Sequence, residues 1–175
     1  SREIAAPKSS AIWPTADRLR ESLFNILIHG YGDPVSGARV LDLFAGTGAL
    51  GIEALSRGAG YVLFVDDGAE ARALLRENTQ TLGLAGVTRI FRRDATELGP
   101  CYPVEPFTLA FLDPPYGKGL AEKSLAAARD GKWLLPGAIV LVEEENGVFN
   151  TPAGYADLAR RASDDTEFVF LRYNV

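Results

Sequence analysis

The chain has 175 residues, of which 47% are hydrophobic and 23% charged, and a formal net charge of −5. That length and apolar content suit one domain with a sizeable core, and the acidic balance argues against a protein that grips bare nucleic acid through many phosphates. No apolar run approaches the roughly 20 residues of a membrane span, Cys101 is single, and His29 is the one histidine, so neither a disulfide framework, a zinc cluster nor a Ser-His-Asp triad is expected.

Methionine is absent even at position 1, and the natural start is expected upstream of Ser1. Residues 1–14 read as an irregular arm. From Thr15 the apolar residues Leu19, Leu23, Ile26 and Leu27 recur at helical spacing until Gly30. Arg39–Phe44 (RVLDLF) reads as a buried strand, and Gly46–Gly51 opens a helix that runs to Arg57. Tyr61–Asp66 (YVLFVD) is a second strand, Ala69–Leu82 a second helix of this core, and Thr88–Phe91 a short third strand. Residues 95–106 hold three prolines and a glycine and suit no long helix. Phe107–Asp113 is the fourth strand, Leu120–Arg129 a helix, and Ala138–Glu143 the fifth strand. Ala156–Ala162 and Glu167–Tyr173 flank Ser163-Asp164-Asp165-Thr166 as a hairpin.

Strands alternating with helices predict a mostly parallel sheet covered on both faces, in a single Rossmann-like α/β domain. Such a sheet binds its ligand at the carboxyl ends of the strands, where strand order reverses. Asp42, Asp66, Asp94 and Asp113 fall at or near four of those ends. Scattered surface acids would not fall so regularly.

"DLFAGTGALG" contains Gly46-x-Gly48-x-x-Gly51 directly after a strand and opening a helix. Glycine permits the tight turn and the close approach of a ligand. Asp66 ends the next strand, where an acid can hold ribose hydroxyls. The pattern fits a dinucleotide site as well. Two details favour S-adenosylmethionine over NAD. Asp42 would oppose a pyrophosphate but attract an α-amino group, and Asp94 could accept a hydrogen bond from an adenine amino group.

"FLDPPYGKG" ends the fourth strand on a carboxylate, two prolines and a tyrosine. The fourth strand should neighbour the first, which sets Asp113 beside the glycine loop. An exocyclic amine on a base is a poor nucleophile, because its lone pair is delocalised into the ring. A carboxylate accepting one N–H and a proline carbonyl accepting the other would aim that lone pair and stabilise the charge growing on nitrogen. The prolines hold these acceptors rigid, and Tyr116 offers a face for a splayed-out base.

Asp113-Pro114-Pro115-Tyr116 resembles the D/N-P-P-Y signature of amino-group methyltransferases that use S-adenosylmethionine. Together, "PTADRLRESLFNIL", "VLDLFAGTGALGIEALSRGA", "RRDA" and "FLDPPYGKGL" resemble the bacterial 16S rRNA guanine-N2 methyltransferase family. The resemblance covers most of the chain. It implies a seven-stranded class I methyltransferase fold ending in a hairpin, and methylation of one guanine of the small ribosomal subunit. It implies cofactor contacts at Asp42, Gly46, Gly48, Asp66, Asp94 and Ala95, and a catalytic motif at Asp113, Pro114 and Tyr116. Arg18, Arg20 and Asn25 lie in the family-like first helix, where they line a substrate cleft or form a polar helix face. Trp13 stands where the family commonly has arginine, which departs from any phosphate contact there. The expected setting is a cytoplasmic monomer without metal, acting on 16S rRNA in an assembled or partly assembled subunit. The rival readings are a DNA adenine or protein glutamine methyltransferase of the same motif, an NAD-dependent oxidoreductase, and a non-catalytic cofactor-binding partner.

Overall fold

The computed structural model describes residues 14–175; Trp13 and the arm before it lie outside the described residues. Helix α1 spans Pro14–Gly30 and precedes strand β1, Arg39–Leu43. Then come α2 (Ala49–Ser56), β2 (Tyr61–Val65), α3 (Ala69–Thr81), a 3-10 turn (Ala85–Val87) and β3 (Thr88–Phe91). The chain continues through β4 (Phe107–Leu112), α4 (Leu120–Asp130), β5 (Leu134–Glu145), β6 (Tyr155–Ser163) and β7 (Thr166–Tyr173).

The seven strands form one sheet in the order β3-β2-β1-β4-β5-β7-β6. The first five strands pair in parallel and β7 pairs antiparallel with both β5 and β6. The order reverses between β1 and β4, which is where an open α/β sheet leaves a crevice for a ligand. Register sets Asp42 opposite Phe111 and Leu43 opposite Leu112. The glycine loop after β1 and the Asp113 turn after β4 therefore leave the sheet side by side, as the motif spacing requires.

The strands are apolar without strict alternation because both faces are covered. Val40, Val62, Phe64, Leu109 and Phe111 pack with Leu23, Phe24 and Leu27 of α1, Ile52 of α2 and Leu75 of α3. Leu41, Leu63, Val65, Ala110 and Leu112 pack on the other face with Leu125 of α4, Trp133 and the 95–106 loop. Trp133 Nε1 donates to Gly99 O at 2.8 Å and ties that loop down. Arg20 reaches Glu53 at 3.5 Å and Arg57 donates to Asn25 Oδ1 at 3.3 Å. The two helices thus run the same way, and α1 starts at the ligand-binding end of the sheet. Among the described residues, no helix is long and apolar enough to cross a membrane.

Several boundaries shift by a residue from the sequence reading, and the changes at β5 and β6 have a packing reason. Strand β5 begins at Leu134 rather than Ala138 and continues to Glu145. Pro136-Gly137 suggests a turn, but the pair is absorbed by a register shift between Phe107 and Leu109, a bulge that tolerates both residues. Strand β6 starts at Tyr155, whose ring packs on Tyr173 at 5.2 Å. The hairpin turn is at Asp164-Asp165, with Asp164 at φ 54, a left-handed position that Asp tolerates better than most residues.

Candidate active site

The sheet ends converge on a cavity of about 410 Å³ lined by Phe44, Gly46, Val65, Asp66, Asp67, Arg93, Asp94, Ala95, Thr96, Asp113, Pro115 and Leu120. Five of the residues expected from the sequence, Gly46, Asp66, Asp94, Ala95 and Asp113, share that lining. The exposed edge of the cavity is acidic: Asp66, Asp67, Asp94 and Asp113 face one guanidinium, that of Arg93.

Asp66 is oriented by its own backbone surroundings. Its Oδ2 accepts from Gly46 N at 3.0 Å and its Oδ1 from Gly68 N at 2.9 Å. This links the glycine loop after β1 to the loop after β2 and fixes a carboxylate at the cavity wall. Each oxygen retains a second lone pair for a hydroxyl. Asp94 is held by Thr96, whose backbone N–H and hydroxyl donate to Oδ1 at 2.8 and 2.7 Å. Those two bonds hold the Asp94 carboxyl below the usual carboxylate range. Ala95, 4% exposed, follows it against the cavity.

Asp42 and Gly48 lie beneath this lining rather than in it. Asp42 is 2% exposed and its Oδ2 accepts from Gly51 N at 3.0 Å, inside the first turn of α2. Burial pushes its carboxyl up to about 8; the Gly51 N–H opposes the shift and the charge of Asp66 adds to it. In the apoprotein the unfolded chain would hold this proton only below about 4, and the fold holds it up to about 8. Stability from that proton is full at low pH and is lost as pH rises through about 8. Asp42→Asn is expected to flatten the decline in apoprotein stability between about pH 5 and pH 8, where one group contributes a slope of at most ~1.4 kcal/mol per pH unit. Urea unfolding across that range measures it, and an unchanged slope would refute the assignment.

Asp113 opens on the cavity, whereas Pro114 behind it is buried. The protein packed around the Asp113 carboxyl raises its pKa well above the ordinary carboxylate range, and the charges of Glu143 and Asp42 raise it further. Tyr116 stands beside it, 38% exposed, with its hydroxyl donating to Glu143 Oε2 and lying 3.1 Å from Thr166 Oγ1. Glu143 is itself raised by burial. Sequence reasoning did not single out Glu143, Glu144 or Thr166. The signal was the acidic run Glu143-Glu144-Glu145 at the end of β5, on the same edge of the sheet as the other acids.

The three substrate residues expected on α1 do not join this cavity. Arg18 and Asn25 line a shallow groove with Glu21, Ser22, Ile26 and His29. Arg20 is paired with Asp17 at 2.8 Å as well as with Glu53.

This arrangement favours a cationic cofactor over a dinucleotide. The amide at the start of α2 that would receive a pyrophosphate is already bonded to the buried Asp42 carboxyl. The carboxyl groups of Asp66, Asp94 and Asp113 around the cavity would, when ionised, repel phosphates and attract a cation.

The family described as Conserved hypothetical protein 95 matches residues 1–172. Ribosomal RNA small subunit methyltransferase D of Escherichia coli (strain K12) is 38% identical over 158 residues, which are 89% of this chain and 76% of that protein. The protein of the same name from Haemophilus influenzae is 34% identical over 146 residues, 82% of this chain and 74% of its own. The solved structure of yhhF from Escherichia coli superposes with a TM-score of 0.81 at 30% identity, covering 99% of this chain and 93% of that one. The fold alone extends to PH1948 of Pyrococcus horikoshii, with a TM-score of 0.72 at 19% identity over 99% and 95% of the two chains.

Proposed function

The chain belongs to the family described as Conserved hypothetical protein 95, and on that premise we propose that it methylates the exocyclic N2 amine of a guanine in 16S rRNA of the small ribosomal subunit, with S-adenosylmethionine as donor. One observation carries this reading. Asp113, at the tip of β4, shares a carboxylate-lined cavity with the glycine loop of the neighbouring strand β1.

When bound, the cofactor supplies an electrophilic methyl group on a cationic sulfur. The rest of the work falls to this chain. Asp66 holds the ribose hydroxyls, Asp94 and Ala95 meet the adenine, and Gly46 allows close approach at φ 59 with open space beside it. Gly48 shapes the loop, and Asp42 holds the loop from beneath through the Gly51 amide; the cofactor's ammonium group would favour the charged form of its buried carboxyl. The Asp113 carboxylate and the Pro114 carbonyl accept the two N–H bonds of the amine and aim its lone pair. Asp113, with its raised pKa, then takes up the proton that the methylated nitrogen sheds. Tyr116 stacks on the base. Arg18, Arg20 and Asn25 border the approach of RNA on the α1 side.

The net charge of −5 gives little general attraction to phosphate. RNA already folded by ribosomal proteins presents an unpaired guanine in one geometry and lowers the ordering cost of binding. The substrate in this reading is an assembled or partly assembled small subunit, met by a soluble monomeric enzyme. The test is to map the methyl group after reaction with subunits from cells lacking the activity, against protein-free 16S rRNA at matched ionic strength. Methylated N2-guanine formed faster on subunits is the expected result. Label on adenine, on protein glutamine or nowhere would overturn the reading.

Asp66→Ala is expected to weaken S-adenosylmethionine binding about ten- to a hundredfold, the value of a charge-assisted hydrogen bond of roughly 1.5–3 kcal/mol. Titration calorimetry checks it; unchanged affinity would remove Asp66 from the cofactor site.

A further inference from the structure

A tyrosine needs no hydroxyl to stack on a base; phenylalanine offers the same face. The Tyr116 hydroxyl is nevertheless engaged twice, donating to Glu143 Oε2 and lying 3.1 Å from Thr166 Oγ1. Glu143 belongs to β5 and Thr166 is the first residue of β7. These contacts come from two further strands, neither of which carries the catalytic motif.

The backbone beside the ring is held as well. Glu144 is fully buried, and its Oε1 accepts from Gly117 N at 3.0 Å and Glu145 N at 2.7 Å. Gly117 directly follows Tyr116. Glu143 and Glu144 project to opposite faces of β5, so consecutive carboxylates grip the ring's far end and its backbone. The hairpin is locked to the same strand: Thr166 pairs with Glu145 and Asn146 N donates to Asp165 O at 2.8 Å. The charge of Glu143 also acts on the Asp113 carboxyl and raises its pKa, so Glu143 neighbours the acid of the motif as well as its tyrosine.

We propose that Glu143 is a positioning residue for the methyl-acceptor site, and that it and Thr166 of the C-terminal hairpin clamp the Tyr116 ring in the orientation that receives a base. This rests on the methyl-transfer reading. A half-exposed tyrosine without these partners samples several rotamers and must be ordered each time a base enters. A ring already fixed avoids that ordering. Displacement of the base by about 1 Å lowers the rate by about a hundredfold, so the clamp acts on turnover more than on cofactor binding. It also gives the terminal hairpin a place in the site.

The experiment has two arms. In protein labelled with 3-fluorotyrosine, the Tyr116 resonance is assigned by its loss in Tyr116→Phe. It is expected to move toward the position of a solvent-exposed fluorotyrosine in Glu143→Ala and in Thr166→Val, and to stay in place in Glu143→Gln, whose amide oxygen still accepts. In the kinetic arm, Tyr116→Phe and Glu143→Ala each lower kcat about tenfold or more with S-adenosylmethionine affinity unchanged, and Glu143→Gln restores most of the Glu143→Ala loss. The double variant Tyr116→Phe/Glu143→Ala is no slower than Glu143→Ala alone. An unmoved resonance in Glu143→Ala, full kcat in Tyr116→Phe, or multiplying losses in the double variant would overturn the proposal. Absence of methyl transfer by the wild-type protein would count against the methyl-transfer reading instead, and the fluorine arm would still decide whether the clamp exists.

Discussion

Replacing Asp113 with alanine is expected to lower methyl transfer by about 100- to 10,000-fold while leaving S-adenosylmethionine affinity within a few-fold. The reason is a division of labour on the cavity wall. Asp66 and Asp94 are tied to the loops after β2 and β3 by their own hydrogen bonds, whereas Asp113 ends β4 next to Tyr116 and Glu143. On the proposed reading, removing Asp113 takes away the acceptor of the amine's N–H and leaves the other two acids untouched. The raised pKa of Asp113 adds a sign to the prediction. The deprotonated form accepts the N–H, so wild-type kcat/KM should rise with pH above the ordinary carboxylate range as the proton leaves. Asp113→Asn keeps an acceptor oxygen but has no proton to lose. It should show a smaller loss than alanine and no rise with pH from this group. Near-normal turnover by a folded Asp113→Ala protein would remove Asp113 from the chemistry. Normal cofactor affinity together with lost turnover is the combination that supports it.

Much of this site was legible because its signals are local. Asp42, Asp66, Asp94 and Asp113 each end or nearly end an apolar run, and a parallel sheet brings such ends to one edge. The strand order then follows from short right-handed crossovers, so β1 beside β4 could be expected before any coordinates. Glu143 and Thr166 were not legible in that way. Their contact with Tyr116 spans 27 and 50 residues and depends on the antiparallel register of β5 with β7. Register is set by long-range pairing, which a single sequence shows poorly. The start of β5 was missed for a related reason: Pro136-Gly137 is a turn signal that the bulge beside Phe107 overrides. Arg20 and Asn25 are ambiguous in sequence because a polar helix face and a binding face have the same pattern. Their partners are Glu53 on α2 and Arg57 at its C-terminal cap, and packing alone brings them within reach.

The glycine loop supplies the second large effect, and here the three glycines separate. Sequence reasoning reads all three as one loop that turns tightly and lets a ligand approach, and expects cofactor contacts at Gly46 and Gly48. Gly46 suits that role: it sits at φ 59 and a Cβ there would meet nothing within 4 Å. Gly51 does a different job. A Cβ there would lie 2.6 Å from Phe64 Cε1, 2.8 Å from Val62 Cγ1 and 2.9 Å from Asp42 Oδ2. None of these atoms ends a flexible chain, since Phe64 and Val62 are fully buried on β2. Gly51→Ala must therefore push α2 off the sheet, or push Asp42 off the Gly51 amide. Overpacking of this kind costs about 1–3 kcal/mol, which for a chain of this size lowers Tm by roughly 2–12 °C. The loss should appear without any cofactor present, because the clash is with the protein's own core. Gly46→Ala should behave differently: a left-handed backbone costs about 1–2 kcal/mol, and the new methyl group stands in the space where the ligand approaches. Its larger effect is expected on S-adenosylmethionine affinity. Calorimetric unfolding and cofactor titration on both variants separate the two roles. A Gly51→Ala protein with wild-type Tm would show that the helix can move away freely, and would remove the packing role from Gly51.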